Sequence, residues 1–290
     1  MNCLVTGGSG FLGSHVADEL LKKGHQVLIF DKQKPKWLSK KNKKIIIGDI
    51  KNIRSIEKIF KKKIDIVFHF AALADLNQAM SKPHDTVNYN ILGTVNLLEL
   101  CKKYKVKRFV FASSIYVNSK QGGFYRSSKR AAEDYVEEYN QRYNLNFTIL
   151  RFGSLYGERS DRNNGVRKII ESGIGSNFIK YYGNPRSVRK YIYVKDAARA
   201  CVEVIKPKYK NKHLTITGKK TISIKNLLKM IINIYGGKRK IKFYPKKALG
   251  HYIKSPFSYK FKKGINYITK NQIKFETGLK KVFLDINKNY

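Results

Sequence analysis

Residues 1–31 constrain this chain more than any other stretch. Cys3-Leu4-Val5 is a short apolar run that ends at Thr6 and leads into Gly7-Gly8-Ser9-Gly10-Phe11-Leu12-Gly13. Val16, Ala17, Leu20 and Leu21 follow at helical spacing, and Gly24 closes that helix. Gln26-Val27-Leu28-Ile29-Phe30 then reads as a second buried strand, ending at Asp31. Strand, glycine loop, helix, strand and acid form the context in which a glycine pattern becomes a dinucleotide site. In such a loop Gly7 permits a tight turn and Gly10 lets backbone approach a pyrophosphate. Gly13 lets the helix pack close to the strand, and the helix N-terminus offers free N–H groups and a positive dipole end to the phosphates. The spacing here is G-x-x-G-x-x-G, so the acid at the end of the second strand carries much of the inference.

The same alternation continues. A lysine-rich connection, Lys32 to Lys44, precedes Ile45-Ile46-Ile47 and Gly48-Asp49-Ile50. Asp49 thereby stands at the C-terminal end of a strand, where doubly wound sheets bind ligands. A helix bearing Ile53, Ile56, Ile59 and Phe60 leads to a fourth strand over 64–70 and then to Ala71-Ala72-Leu73-Ala74, small residues suited to backbone lying against a nicotinamide ribose. His69 within that strand reads as a satisfied core histidine. Residues 87–104 read as one long helix and 108–112 as a fifth strand running into Ser113-Ser114. Tyr125 opens another helix, and 147–151 form a sixth strand. This pattern predicts an α/β fold, a Rossmann-like doubly wound parallel sheet with helices on both faces.

Beyond Arg151 the pattern loosens. A helix over 166–172, a strand over 189–194, a helix over 196–205 and a strand over 213–217 are expected. Thr221 is expected to cap a helix reaching Ile234, and the tail from Lys238 reads as basic, aromatic and irregular. The predicted organisation is an NAD-binding domain over 1–152, to which 189–217 returns. A smaller, non-contiguous substrate lobe consists of 153–188 and 218–290.

The charge balance bears on partners: 60 Lys and Arg face 20 Asp and Glu, a net charge of +40. Such an excess raises nucleic-acid binding as a function. The lysines are scattered over the whole length, however, and the accompanying Ile and Asn share A/T-rich codons with Lys. The excess therefore reads as compositional, with no specific nucleic-acid partner, and positive potential also favours capture of an anionic substrate. No apolar run approaches the roughly 20 residues that span a bilayer. Cys3, Cys101 and Cys201 lie far apart in apolar patterns, with no metal-ligand spacing. They read as reduced core residues, and with a strand at the N-terminus in place of a leader, a cytoplasmic protein without a metal site is expected.

Tyr125 and Lys129, four residues apart, share one face of their helix. Alcohol oxidation by hydride transfer needs such a pair, because a phenolate must take the hydroxyl proton while NAD+ takes the hydride. A free Tyr titrates near 10, so work near pH 7 requires a shift of about three units, or about 4 kcal/mol. A neighbouring ammonium and the positive nicotinamide ring both favour the phenolate. Ser114, at the end of the fifth strand, can hydrogen-bond the same reacting oxygen.

Taken together, Thr6 to Gly13, Asp49-Ile50, His69-Phe70-Ala71-Ala72, Asn90-Ile91-Leu92-Gly93-Thr94, Ser113-Ser114 and Tyr125-x-x-x-Lys129 resemble the extended short-chain dehydrogenases/reductases, in particular their NAD-dependent nucleotide-sugar epimerases and dehydratases. Leu150 to Gly157 and Arg189 to Asp196 extend the likeness, which covers about residues 1–205. The resemblance implies that Gly7, Gly10, Phe11, Leu12, Gly13, Asp31, Asp49, Ile50, Phe70, Ala71, Ala72, Leu73 and Asn90 bind NAD. Asp31 would take the ribose, and Asp49-Ile50 the adenine. It implies a catalytic triad of Ser114, Tyr125 and Lys129, and a nucleotide-sugar phosphate held by Arg189. Ser154 occupies the place of a substrate-binding Asn. Members often dimerise through the two helices flanking strands four and five, so a homodimer is expected.

Three departures narrow the chemistry. Dehydratases of the family place Asp-Glu directly after the catalytic Ser or Thr, where this chain has Ile115 and Tyr116. The Glu of decarboxylases and the Cys of epimerase-reductases are absent there as well. The segment from Ser114 to Tyr125 is short and lacks a proline-containing loop, so other residues, such as the aromatic tail, are left to close a sugar pocket. Simple epimerisation of a nucleotide-activated hexose, most often at C4, is the activity implied. A nucleotide-sugar dehydrogenase, reductase or dehydratase is the enzymatic alternative. A dinucleotide-sensing or RNA-associated binding protein is the non-enzymatic one.

Overall fold

Apolar strands that alternate with amphipathic helices can bury both of their faces by pairing in parallel between two helical layers. The computed structural model describes residues 1–35, 43–244 and 250–260, and those up to Tyr259 form one compact unit. The chain runs β1 (Asn2–Thr6), α1 (Phe11–Lys22), β2 (Gln26–Asp31), β3 (Lys43–Ile47), α2 (Ile53–Phe60) and β4 (Ile66–His69). Helices α3 (Leu76–Ser81) and α4 (Pro83–Val87) follow. A π-helical turn (Asn88–Leu92) then joins α4 to α5 (Gly93–Lys103). After β5 (Arg108–Ser114) and a 3₁₀ turn (Ile115–Asn118) come α6 (Gly123–Tyr143), β6 (Phe147–Phe152) and β7 (Ser154–Tyr156). The remainder is α7 (Gly165–Glu171), β8 (Phe178–Tyr182), β9 (Val188–Arg189), β10 (Tyr191–Tyr193) and α8 (Val194–Glu203). It closes with β11 (Lys212–Ile216), β12 (Ile222–Ser223), α9 (Ile224–Ile234) and β13 (Lys240–Tyr244).

Seven of these strands make one parallel sheet in the order β11-β6-β5-β4-β1-β2-β3. Side-chain alternation divides the core between its two faces. Cys3 and Val5 point to one face, with Val16, Ala17 and Leu20 of α1 and Ala197, Ala198 and Cys201 of α8. Leu4 points to the other, with Ile56, Ile59 and Phe60 of α2, Leu97 and Leu98 of α5, and Ala132 and Val136 of α6. Each large apolar side chain so buried contributes about 1.5–3 kcal/mol. Strand order reverses between β1 and β4, and ligands of doubly wound sheets bind at that reversal. All three cysteines are free and buried. Among the described residues no helix is long and apolar enough to cross a membrane.

After β6 the chain builds smaller pairs: β7 with β10, β9 with β12, and β8 with β13. Ile169, Ile179, Ile224, Leu228 and Ile231 form a separate small core under α7 and α9. Several boundaries differ from those the sequence suggests. The helix expected over 87–104 is interrupted by the π turn, which periodicity cannot distinguish from α-helix. The strand expected over 189–194 is two strands, because Arg189 pairs with Ile222 while Tyr191 pairs with Ser154. Thr221 is not a cap: Ile222 and Ser223 are still extended against β9, and the Ser223 hydroxyl accepts from the Asn226 N–H. The tail is not irregular at its start. Lys240–Tyr244 pairs with β8, about sixty residues earlier in the chain. The rest of the tail at 245–249 and 261–290, and 36–42 of the lysine-rich connection, lie outside the described residues.

Candidate active site

At the reversal of strand order a cavity of about 770 Å³ opens beyond the C-terminal ends of β1 and β4. Gly7, Gly10, Phe11, Leu12 and Gly13 form one wall, followed by Asp31, Asp49 and Ile50, then Phe70 to Leu73, and finally Ser114, Tyr125 and Lys129. Two glycines make the loop possible. Gly7 has φ +71°, and a Cβ there would lie 2.5 Å from the Ala71 nitrogen. A Cβ on Gly13 would lie 2.2 Å from the Gly7 carbonyl oxygen. The first turn of α1 has no side-chain cap, so its N–H groups are open to an anion.

Further along, Asp31 is fixed by two backbone donors. Ser9 N–H reaches Oδ2 at 2.9 Å, and Gln33 N–H reaches Oδ1 at 3.0 Å. The Tyr89 hydroxyl donates to Asp49 Oδ2 at 3.1 Å, and the ammonium groups of Lys32 and Lys51 stand 4.8 and 4.6 Å from the Tyr89 ring centroid. Tyr89 and Lys32 also line the cavity. Asn90 does not. It is buried, with Oδ1 accepting from Leu73 N–H at 2.7 Å and Nδ2 donating to Leu73 O at 3.1 Å and to Ser128 Oγ at 2.9 Å. It ties the loop after β4 to α6, and the π turn that aims it inward has no signature in the sequence.

His69 is a core residue. The Thr94 hydroxyl spends its proton on Asn90 O, so Nε2 of His69 donates to Thr94 at 3.1 Å and Nδ1 accepts from Thr6 at 2.7 Å. Burial holds its imidazole well below the usual range, and therefore neutral.

Ser114 from β5 and Tyr125 and Lys129 from α6 meet at the far end of the cavity. Lys129 Nζ donates to Ala112 O at 2.8 Å and lies 4.7 Å over the Phe111 ring. Burial pushes its ammonium down to about 8, with Glu133 acting against that shift. Burial pushes the Tyr125 phenol up and a hydrogen bond with Ser114 pulls it back in part, leaving it at about 12. The lowering of Tyr125 expected from the sequence is therefore reversed in the protein on its own, because desolvation outweighs the neighbouring hydroxyl.

Ser154 and Arg189 lie off the cavity wall, in a second cluster. The Arg189 guanidinium stacks on Tyr252 at 4.1 Å, and Tyr252 also bonds Ser154. Among the described residues Arg189 makes no ion pair. Residues 251–259 cover the short segment after Ser114. Tyr116 bonds His251 Nδ1 at 2.9 Å, Ser258 and Tyr259 donate their N–H groups to Asn118 O, and Lys120 N–H donates to Ser258 Oγ. No sequence signal names these partners, since they join residues more than 130 positions apart. Asp161, Asn163 and Asn164, also unforeseen, complete the cavity wall beside Leu155.

Comparisons with known proteins agree with this geometry. The model of the NAD dependent epimerase/dehydratase family matches residues 3–217. A putative UDP-glucose 4-epimerase of Methanocaldococcus jannaschii is 32% identical over 254 residues, 79% of this chain and 80% of that protein. The UDP-glucose 4-epimerase of Thermotoga maritima, solved with UDP-glucose, superposes with a TM-score of 0.81 at 29% identity, over 89% of this chain and 90% of that one. The UDP-glucose 4-epimerase of Thermus thermophilus, in complex with NAD, gives 0.79 at 26% identity, over 88% and 91%. With most of its length matched and its glycine loop, Ser114, Tyr125 and Lys129 on one cavity, the chain belongs to the NAD dependent epimerase/dehydratase family.

Proposed function

We propose that the protein is an NAD-dependent epimerase of a nucleotide-activated hexose, of the UDP-glucose 4-epimerase type, working through a transient keto-sugar. One observation carries this reading. Ser114, Tyr125 and Lys129 share a cavity with the glycine loop, while the positions after Ser114 hold no acid that could expel a hydroxyl: Ile115 is buried and Tyr116 is tied to His251. The loop fits a dinucleotide, since Gly7 and Gly13 leave backbone bare and Asp31 stands where ribose hydroxyls would donate to it. NAD bound there would supply the acceptor, and then the donor, for the hydride of the sugar carbon. Tyr125 takes the hydroxyl proton and gives it back, Ser114 orients the reacting oxygen, and Lys129 favours the phenolate. In the same reading Asp49, Ile50 and Phe70 to Leu73 line the cofactor and Asn90 braces Leu73.

Residues 153–188 and those from 218 onward serve as the substrate lobe in this reading. Its support is the separate small core of that region and the guanidinium of Arg189, stacked on Tyr252 without an acidic partner among the described residues, a holder for a nucleotide phosphate beside Ser154. Exposed Leu92 and Tyr135, beside α5 and on α6, suit a homodimer interface.

An epimerase returns the hydride to the same carbon, so substrate and product share a mass and no external NAD is consumed. Incubation with a panel of nucleotide sugars in deuterated water, followed by NMR and mass spectrometry, is expected to yield an isomer of unchanged mass, without deuterium at the inverted centre. Stoichiometric NADH would make the protein a dehydrogenase. A product lighter by one water, with deuterium on carbon, would make it a dehydratase. A separate expectation concerns the cofactor. The Asp31 carboxylate repels a 2′-phosphate, so calorimetry should give tighter binding of NAD than of NADP. Equal or tighter NADP binding would show that Lys32 or Lys34 overrides Asp31.

A further inference from the structure

Behind the Ser114–Tyr125–Lys129 wall lies an ion pair between a buried carboxylate and a half-buried guanidinium, to which the hydride and proton transfers assign no part. Glu133 stands one turn beyond Lys129 on α6 and is 4% exposed. Its carboxylate accepts from Arg151 Nε at 3.0 and 3.2 Å and from Arg151 Nη2, and the Ser113 hydroxyl donates to Oε1. Arg151 Nη2 also bonds His213 Nδ1 at 3.0 Å, and His213 Nε2 meets Glu137 at 3.0 Å. One carboxylate thus ties β5 and β6 to the helix that carries Tyr125 and Lys129, and β11 joins through Arg151. Desolvation offsets most of what such a pair gains, so stability is a weak reason for it. Its place suggests another. Ser113 adjoins Ser114, and Glu133 follows Lys129 and Tyr125 at four-residue steps along one helix face.

We propose that Glu133, held by Arg151 and Ser113, is a positioning residue for the epimerase chemistry proposed above: it fixes α6 against the end of β5 and keeps a negative charge one turn from the Lys129 ammonium. The surroundings of Lys129 show why the charge matters. From β5 it meets the Ala112 carbonyl and the Phe111 ring. From β4 it faces His69, which is neutral. From α6 it has Tyr125 and Glu133, and Glu133 is the group that opposes the downward pull of burial. Without that charge the ammonium gives up its proton at lower pH, and the alkaline side of the reaction's pH profile retreats.

The test compares Glu133→Gln, which keeps shape and removes charge, with Glu133→Asp, which keeps charge. The double variant Glu133→Gln/Arg151→Met removes both charges, so no half-buried guanidinium is left without its carboxylate if the single variant fails to fold. Lys129 is titrated directly by lysine ¹³Cε NMR, its signal assigned by loss in Lys129→Arg. Alongside it, kcat/KM is followed against pH. Glu133→Gln is expected to lower the Lys129 midpoint by about half a unit or more, with about a threefold extra loss of kcat/KM on the alkaline side, and the double variant, which also loses the Arg151 charge, to lower it by less. Glu133→Asp should keep the parent midpoint. A Lys129 midpoint unchanged in the folded charge-removing variants, with rates reduced equally at every pH, would overturn the proposal. The titration does not depend on turnover, so a parent protein inactive on every sugar would count against the epimerase reading alone.

Discussion

Tyr125→Phe is expected to leave NAD bound and to lower turnover by two or more orders of magnitude, the scale of losing a general base. The substitution removes one hydroxyl from a residue at the end of the cavity and leaves the ring packing in place. The demand on that hydroxyl is larger than the sequence implies. A phenol pushed up to about 12 by burial costs about 7 kcal/mol to ionise at pH 7, against about 4 for a free tyrosine. That value already includes the Ser114 hydrogen bond, which pulls the phenol part of the way back. The Lys129 ammonium and the positive charge of a bound nicotinamide are left to supply the remainder. Cofactor content of the purified variant and kcat on the accepted nucleotide sugar are the two measurements. A Tyr125→Phe protein that turns over at the parent rate would show that another group takes the proton.

Gly7→Ala is expected to destabilise the protein by about 3 kcal/mol and to weaken NAD binding at least tenfold. Two costs combine at this position. An alanine in the left-handed region, at φ +71°, costs about 1–2 kcal/mol. Its Cβ would also sit 2.5 Å from Ala71 N, 2.7 Å from Phe70 C and 2.8 Å from Ala71 Cα. All three are backbone atoms at the end of β4, so no side chain can swing aside, and overpacking of this kind costs about 1–3 kcal/mol. The shift that relieves the contact spreads the loop from Phe70 to Leu73, which lines the cavity opposite the glycines. Gly24 is the control, because it has φ +74° with nothing within 4 Å of a Cβ. Gly24→Ala should show the conformational cost alone. Equal loss of stability in the two variants, by chemical denaturation, would mean that the close approach at Gly7 carries no weight.

Much of the fold was legible because each element carries its own period and punctuation. The run Cys3 to Asp31 contains strand, turn, helix and strand within twenty-nine residues, each marked by its own period and turn residues even though β1 also pairs with β4 and α1 packs with α8. The same holds for Ser114, Tyr125 and Lys129: a strand end and a single helical turn place them, and both are local features. Where pairing partners lie far apart, the sequence was a poor guide. Lys240–Tyr244 looks like part of a basic tail until β8 accepts it, and the alternation of Ile241 and Phe243 with lysines does not by itself select a partner. The split between Arg189 and Tyr191 was invisible for the same reason, since each half answers to a different neighbour.

By itself the sequence determined the parallel α/β architecture, the glycine loop with its acid, and the spacing of the candidate catalytic pair. These follow from backbone conformational limits and from apolar periodicity, which act over a few residues at a time. Tertiary structure alone decided the state of the charges and the shape of the pocket. Burial raised Tyr125 and lowered Lys129, because desolvation depends on what packs around a group and not on its neighbours in the chain. It set Asn90 to brace Leu73. It laid residues 251–259 over the short segment after Ser114, and it placed Glu133 between Arg151 and Ser113. Hydrogen bonds and ion pairs of this kind join strands and helices distant in sequence, and they exist only once the sheet has assembled.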